Sequence, residues 1–290
     1  MSEQGSYYVP EEARQPIFLA VGLALLFGGF ASHLHGDGAG PVLMGLGGLL
    51  AAVMIWNWFA LVINESEAGL NSEQMDRTYR MGMAWFIFSE VMFFAAFFGA
   101  LFYVRVLVLP WLAGDSNNEL THQILWPAFE GLWSPMVQPA LEGFTAATGT
   151  VGAWGVPAIN TALLLTSGVT LTWAHWGLLK EKRGQLIIGL ALTVALGAVF
   201  MYLQVEEYAH AMGHLDLTFN SGIYGSLFYL MTGFHGAHVT LGALMLAVLL
   251  VRAIKGHFTP DDHFGFEGVA WYWHFVDVVW LILFIFIYWV

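Results

Sequence analysis

The sequence predicts an all-α integral membrane protein of seven transmembrane helices, with its N-terminus inside and its C-terminus outside. Three observations carry this reading. The 290 residues are 58% hydrophobic and only 10% charged, with a mean hydropathy of +0.66, whereas a soluble domain is about 25% charged. Seven apolar runs are long enough to cross a bilayer. If all seven cross, eight of the nine Lys and Arg residues fall on one side.

The elements follow in order. Residues 1–15 are polar and lack a basic, cleavable leader, so they read as a cytoplasmic tail. The apolar runs are Pro16–Leu34, Pro41–Ile63, Met81–Leu109, Val156–Leu179, Leu186–Val205, Gly222–Val251 and Gly268–Val290. The third and sixth are the longest and should tilt or protrude. Residues 110–155, rich in Pro, Gly and Trp, read as an outer interfacial segment with short helices. The 33 Gly and 13 Trp suit close-packed helices with aromatic ends at the interfaces.

The basic residues test the count. Arg14 precedes the first run, and Arg77 and Arg80 lie between the second and third. Lys180, Lys182 and Arg183 lie between the fourth and fifth, and Arg252 and Lys255 between the sixth and seventh. Seven crossings put all eight inside, as the positive-inside rule requires; Arg105 alone is outside. Asp37, Asp115, Glu119, Glu130, Glu142 and Asp216 make the outer connections acidic. A net charge of −12 argues against a nucleic-acid partner. The absence of cysteine excludes disulfides, thiolate ligands and cysteine nucleophiles.

Ionisable groups at membrane depth are costly and therefore informative. Glu90, in FIFSEVMFF, lies near the middle of the third run. His235 and His238 share a face of the sixth, and His274 and Asp277 a face of the seventh. His175 is near the inner end of the fourth, and Glu206 and Glu207 at the outer end of the fifth. A metal site, a proton path and buried polar pairs that fix packing are the readings open to such residues. The spans contain no Glu-x-x-His of the di-iron kind and no dense histidine boxes. Polar pairing is the simplest reading, and neither metal ligands nor catalytic residues are assigned. On it, Glu90 is a neutral acid that donates to His235 or His238, which requires the third and sixth helices to be neighbours. A secondary transporter would show inverted repeats and broken helices, and neither is found.

WYWHFVDVVW, HFGFE (263–267), FHGAHV, SEVMFF and NTALLLTSGVTLTWAH (160–175) together resemble subunit III of the haem-copper cytochrome c oxidases of the aa3 type. The similarity covers all seven runs in order. It implies one membrane domain, residues 1–290, in which a two-helix unit (16–63) splays from a five-helix unit (80–290) around a phospholipid-filled cleft. It further implies a chain without redox cofactors, with haem a and copper in partner subunits. Subunit I would be a direct neighbour and subunit II a further partner, while cytochrome c docks mainly elsewhere on the complex. The expected role is to support proton uptake and to protect the active site during turnover, in a bacterial inner membrane. Subunit III of a quinol oxidase is the nearest rival. By the same resemblance Glu90 matches a carbodiimide-reactive glutamate. Trp58, Glu65, Arg80, Arg252, His263 and Glu267 at the inner interface, with Arg105 at the outer one, are the residues expected to meet phospholipid.

Overall fold

The structure, a computed structural model, describes residues 14–133 and 146–289. Most of the predicted tail, residues 134–145 of the long connection (with Glu142), and Val290 lie outside the described residues. Among the described residues all regular structure is helical: α1 (Gln15–Leu34), α2 (Gly40–Glu67), α3 (Glu73–Leu112), α4 (Glu119–Leu125), α5 (Val156–Leu179), α6 (Arg183–His214), α7 (Ile223–Lys255) and α8 (Phe264–Trp289). All but α4 are long and apolar enough to cross a membrane, which gives the seven expected spans.

Several helices outrun their apolar cores. α3 starts at Glu73 rather than Met81, because its first turns pair acids with bases one turn on. Arg80 Nε donates to Asp76 at 2.8 Å, and Arg77 lies 3.8 Å from Glu73. Arg77 and Arg80 therefore stand on a helix and not in a loop. α6 continues past Val205 to His214. Its 32 residues span about 48 Å at ~1.5 Å each, against a hydrocarbon core of about 30 Å. Glu206 and Glu207 thus lie within the helix and not at its end.

The chain divides into two compact units, Met1–Met81 and Gly82–Val290, and the boundary falls inside α3. In the first unit α1 and α2 form an antiparallel hairpin packed backbone to backbone. Gly22 and Gly29 face Gly47 and Gly40 across it. A Cβ at Gly29 would stand 2.6 Å from the Met44 nitrogen, and one at Gly40 would stand 2.5 Å from that of His33. A Cβ at Gly22 would come within 2.9 Å of the Ala51 nitrogen, and one at Gly47 would collide with the Leu26 nitrogen. In lipid, where water drives no helix association, such close approach is what holds a pair together.

The second unit is organised by side chains. Half of the most apolar window of α8 is buried, 50% against 11% for α3, so α8 is the central post. Trp273 is fully buried, and its indole donates to Ser167 Oγ of α5 at 2.8 Å. Its ring fits where two neighbours have no side chain. A Cβ at Gly197 of α6 would lie 2.9 Å from it, and one at Gly242 of α7 2.7 Å. Two turns along α8, Trp280 donates to Thr161 of α5 at 2.9 Å and meets Phe200 of α6 edge-on at 4.8 Å.

The basic ends of this unit gather. The Arg183 guanidinium opening α6 donates to the Ile254 carbonyl closing α7. At the opposite end of α3 a π-helical turn, Val104–Val108, precedes its last residues. The described part of the long connection then folds back, and α4 is the one short helix in it. The Leu112 carbonyl accepts from Trp126 Nε1 at 2.8 Å and lies 3.0 Å from His122 Nδ1, so the segment caps the α3 carbonyls.

Replacing Gly29 by Leu should separate α1 from α2. Overpacking of a tight contact costs typically ~1–3 kcal/mol, and denaturant titration in detergent should show that loss. The same substitution at Gly28, where a Cβ meets nothing, should leave the titration unchanged.

Candidate functional site

The mid-membrane site joins α3 to α7. Glu90 Oε2 lies 2.9 Å from His238 Nε2. Both side chains are mostly buried, 20% and 16% exposed, beneath Phe93 and Phe94. On the other side of the ring, His238 Nδ1 is 2.6 Å from the Phe234 carbonyl. A carbonyl can only accept, so Nδ1 carries a proton. The bond to Glu90 then holds one further proton, on the carboxyl or on Nε2. Either way the pair carries no net charge, which is the affordable state in lipid. His235 takes no part in it. It is fully buried one turn away, where Nε2 donates to the Val276 carbonyl of α8 at 3.1 Å and the ring lies 5.1 Å from that of Trp280. Of the two expected partners of Glu90, the fold selects His238.

His274 and Asp277 form a second pair, one turn apart on α8 and facing α5. His274 Nδ1 lies 3.6 Å from Asp277 Oδ2, and its Nε2 is 3.4 Å from Thr172 Oγ1. The Thr172 hydroxyl donates to the Gly168 carbonyl at 3.0 Å. The two members differ in burial: the His274 side chain is 45% exposed and that of Asp277 8%. Gly168 makes room for the pair, since a Cβ there would stand 2.5 Å from Asp277 Oδ2.

The residues expected to meet lipid fall in both units. Trp58, exposed, and Glu65, half-buried, stand two turns apart on α2. Arg80 is engaged with Asp76. Arg252 lies over the Phe258 ring at 4.6 Å, and Arg105 over the Trp133 ring at 5.1 Å. Arg105 also borders an apolar groove of about 830 Å³ between α3 and α8, lined by Val91, Phe94, Phe98, Val279 and Phe286. His263 and Glu267, one turn apart at the start of α8, have Nε2 and Oε1 3.1 Å apart, and His175 of α5 comes to 4.0 Å from the same oxygen.

Two groupings escaped the sequence reading. His175 belongs with His263 and Glu267, though nothing in its own helix says so. Glu207 is buried at the α6–α8 contact, accepting from Tyr288 at 2.6 Å and Gln204 at 3.1 Å. The Gln204-x-x-Glu207 spacing was its one local signal.

With this geometry in place, comparison with known proteins identifies the lineage. The profile of a family described as cytochrome c oxidase subunit III matches residues 5–113 and 116–290, so it runs through the long connection with only residues 114 and 115 left out. Proteins named cytochrome c oxidase subunit 3 from Gadus morhua, Formosania lacustris and Oncorhynchus mykiss are each 39% identical over 285 residues, 98% of this chain and 97% of theirs.

Substitutions at Glu90, Gly168 and Asp277 probe the pairs. Glu90→Ala should leave His238 Nε2 buried without a partner and cost ~1–3 kcal/mol. Glu90→Gln, whose amide can still donate to Nε2, should cost clearly less, as unfolding titrations will show. Gly168→Ala should destabilise by a similar ~1–3 kcal/mol. That cost should shrink in an Asp277→Ala background, because the clash is with the Asp277 carboxylate. A double-mutant cycle with no coupling would refute this account.

Proposed function

The chain belongs to the cytochrome c oxidase subunit III family, and we propose that it acts as the non-catalytic core subunit III of a proton-pumping cytochrome c oxidase. It is a multi-pass membrane protein and part of an oxidoreductase complex. In the proposed arrangement it packs on subunit I, with subunit II in the same complex, and haem a and copper belong to those partners. Its own residues bind phospholipid, cover a flank of subunit I and support proton uptake there. The first two spans would splay from the other five around the lipid. The basic helix ends would face the cytoplasmic side, with the N-terminus inside and the C-terminus outside.

The observation that carries the reading is the similarity along 98% of the chain to named oxidase subunits. The pairing at membrane depth supports it. Glu90 with His238, and Glu207 with Tyr288 and Gln204, meet each other inside the protein. The role they support is a scaffold for its neighbours. The apolar groove beside α3, with Arg105 on its border, has the chemistry to hold an acyl chain below a phosphate. The relatives' names favour a cytochrome c oxidase over a quinol oxidase. The proposed location is a bacterial inner membrane. The fish sources of the relatives give a mitochondrial membrane as the second reading, which cell fractionation separates.

The test is turnover against time, for the intact complex and for the complex depleted of this chain, at neutral and alkaline pH. The depleted complex should keep its haem and copper spectra and start at a normal or moderately lower rate. Its activity should then decay during turnover, faster at alkaline pH. Slower proton delivery lengthens each cycle and gives oxidative damage more time. Endurance equal to that of the intact complex would overturn the supporting role, and immediate loss of haem or copper would show that this chain holds them.

A further inference from the structure

We propose that His175, His263 and Glu267 form a zinc site that clips the end of α5 to the start of α8. The three come from separate places in the sequence and converge at the basic ends of the second unit. His175 stands one turn before the end of α5, His263 immediately precedes α8, and Glu267 lies in its first turn. Each offers one ligand atom, and these atoms all lie within 4.8 Å of one another.

The donor set suits zinc. Two imidazoles and a carboxylate, with a fourth position for water, are a recurrent zinc shell. Tetrahedral bonds of about 2.0–2.1 Å place neighbouring donor atoms about 3.3 Å apart. His263 Nε2 to Glu267 Oε1 is 3.1 Å and His175 Nε2 to the same oxygen is 4.0 Å, so the existing spacings bracket that value. Adjustment of the His175 side chain closes the set.

A second, independent observation points to a ligand. The His263 side chain is only 9% exposed, yet neither of its ring nitrogens makes a hydrogen bond among the described residues. Its Nε2 is close to Glu267 but badly aligned for an N–H···O bond. His175 Nε2 is likewise buried without a hydrogen-bond partner. Buried ring nitrogens left in this way lose free energy that a metal ion would restore. The surroundings set a limit on affinity. Arg252 Nη1 lies 3.3 Å from where a Gly265 Cβ would stand, so a guanidinium is close by. The single carboxylate of the set must outweigh that positive charge.

The site is distinct from the mid-membrane pairs. Its consequence is mechanical. Zinc bound to the folded chain alone would stabilise the α5–α8 contact by mass action.

The experiment uses the assembled complex carrying wild-type chain or a variant, stripped with a chelator and then dialysed against micromolar zinc. Wild type should retain one more zinc per complex than His175→Ala or Glu267→Gln, with at least a tenfold weaker uptake in the variants. Zinc should also raise the unfolding temperature of wild type and not of the variants. Equal stoichiometry and equal thermal shift in all three would overturn the proposal. A loss of co-purifying phospholipid in the variants, with zinc uptake unchanged, would instead make the cluster a headgroup seat and equally refute the metal. If the variants fail to assemble, wild type alone decides. Zinc should protect His175 and His263 from carbethoxylation by diethyl pyrocarbonate, read by mass spectrometry, and equal labelling with and without zinc would refute the site.

Discussion

An indole N–H inside a bilayer has no water to bond, and Trp273 meets that constraint by binding three helices at once. Its donor needs Ser167, which fixes α8 against α5. Its ring needs Gly197 and Gly242, which fixes α6 and α7 at either face. Only residues without a side chain leave that slot, so the hydrogen bond and the two glycines require one another. The neighbouring residue extends the arrangement. Tyr272 reaches the His238 carbonyl at 3.3 Å, and its ring stacks 6.1 Å from that of Phe86 on α3. With α7 and α3 both referred to α8 in this way, Glu90 and His238 are held within bonding distance. The carboxyl–imidazole pair at mid-membrane is thus a result of how one tryptophan is seated.

The two units solve the same problem differently. α1 and α2 rely on backbone contact through Gly22, Gly29, Gly40 and Gly47. Their remaining surface is large and apolar, as at Phe27, Leu34, Trp56 and Phe59, which suits lipid or a neighbouring chain. The second unit buries hydroxyls, amides, imidazoles and carboxylates and satisfies most of them across helices. Contacts of the first kind resist side-chain growth. Contacts of the second kind specify register, because a donor and its acceptor bond only at short distance and good alignment.

The number of spans was legible in the sequence because apolar length and the sidedness of Lys and Arg are local properties. The ends were less so. Helical hydrogen bonding continues past the hydrocarbon boundary wherever residues such as Glu73 to Arg80 pair along the helix. Tryptophan was misleading in two places. The usual reading puts it at the interface, and Trp273 and Trp280 are buried in the core. That Glu90 would find an imidazole was readable. Which one was not, since His235 and His238 share a helical face, and what separates them is tertiary: the bond of His235 to the Val276 carbonyl and its packing against Trp280. The meeting of His175 with His263 and Glu267 depends wholly on tertiary structure, and no spacing rule within one helix reveals it.

The neutrality of the Glu90–His238 pair has an electrical consequence. A charge crossing the whole membrane exchanges about 2.3 kcal/mol with each 100 mV of potential. A proton hopping between carboxyl and imidazole travels only about 1 Å of a core about 30 Å thick. The voltage can bias that hop by no more than ~0.1 kcal/mol per 100 mV. The pair keeps its total charge at zero in both forms, so a membrane being charged by its own respiration exerts almost no pull on it. A joint between helices placed at the depth of the strongest field can in this way stay indifferent to the field.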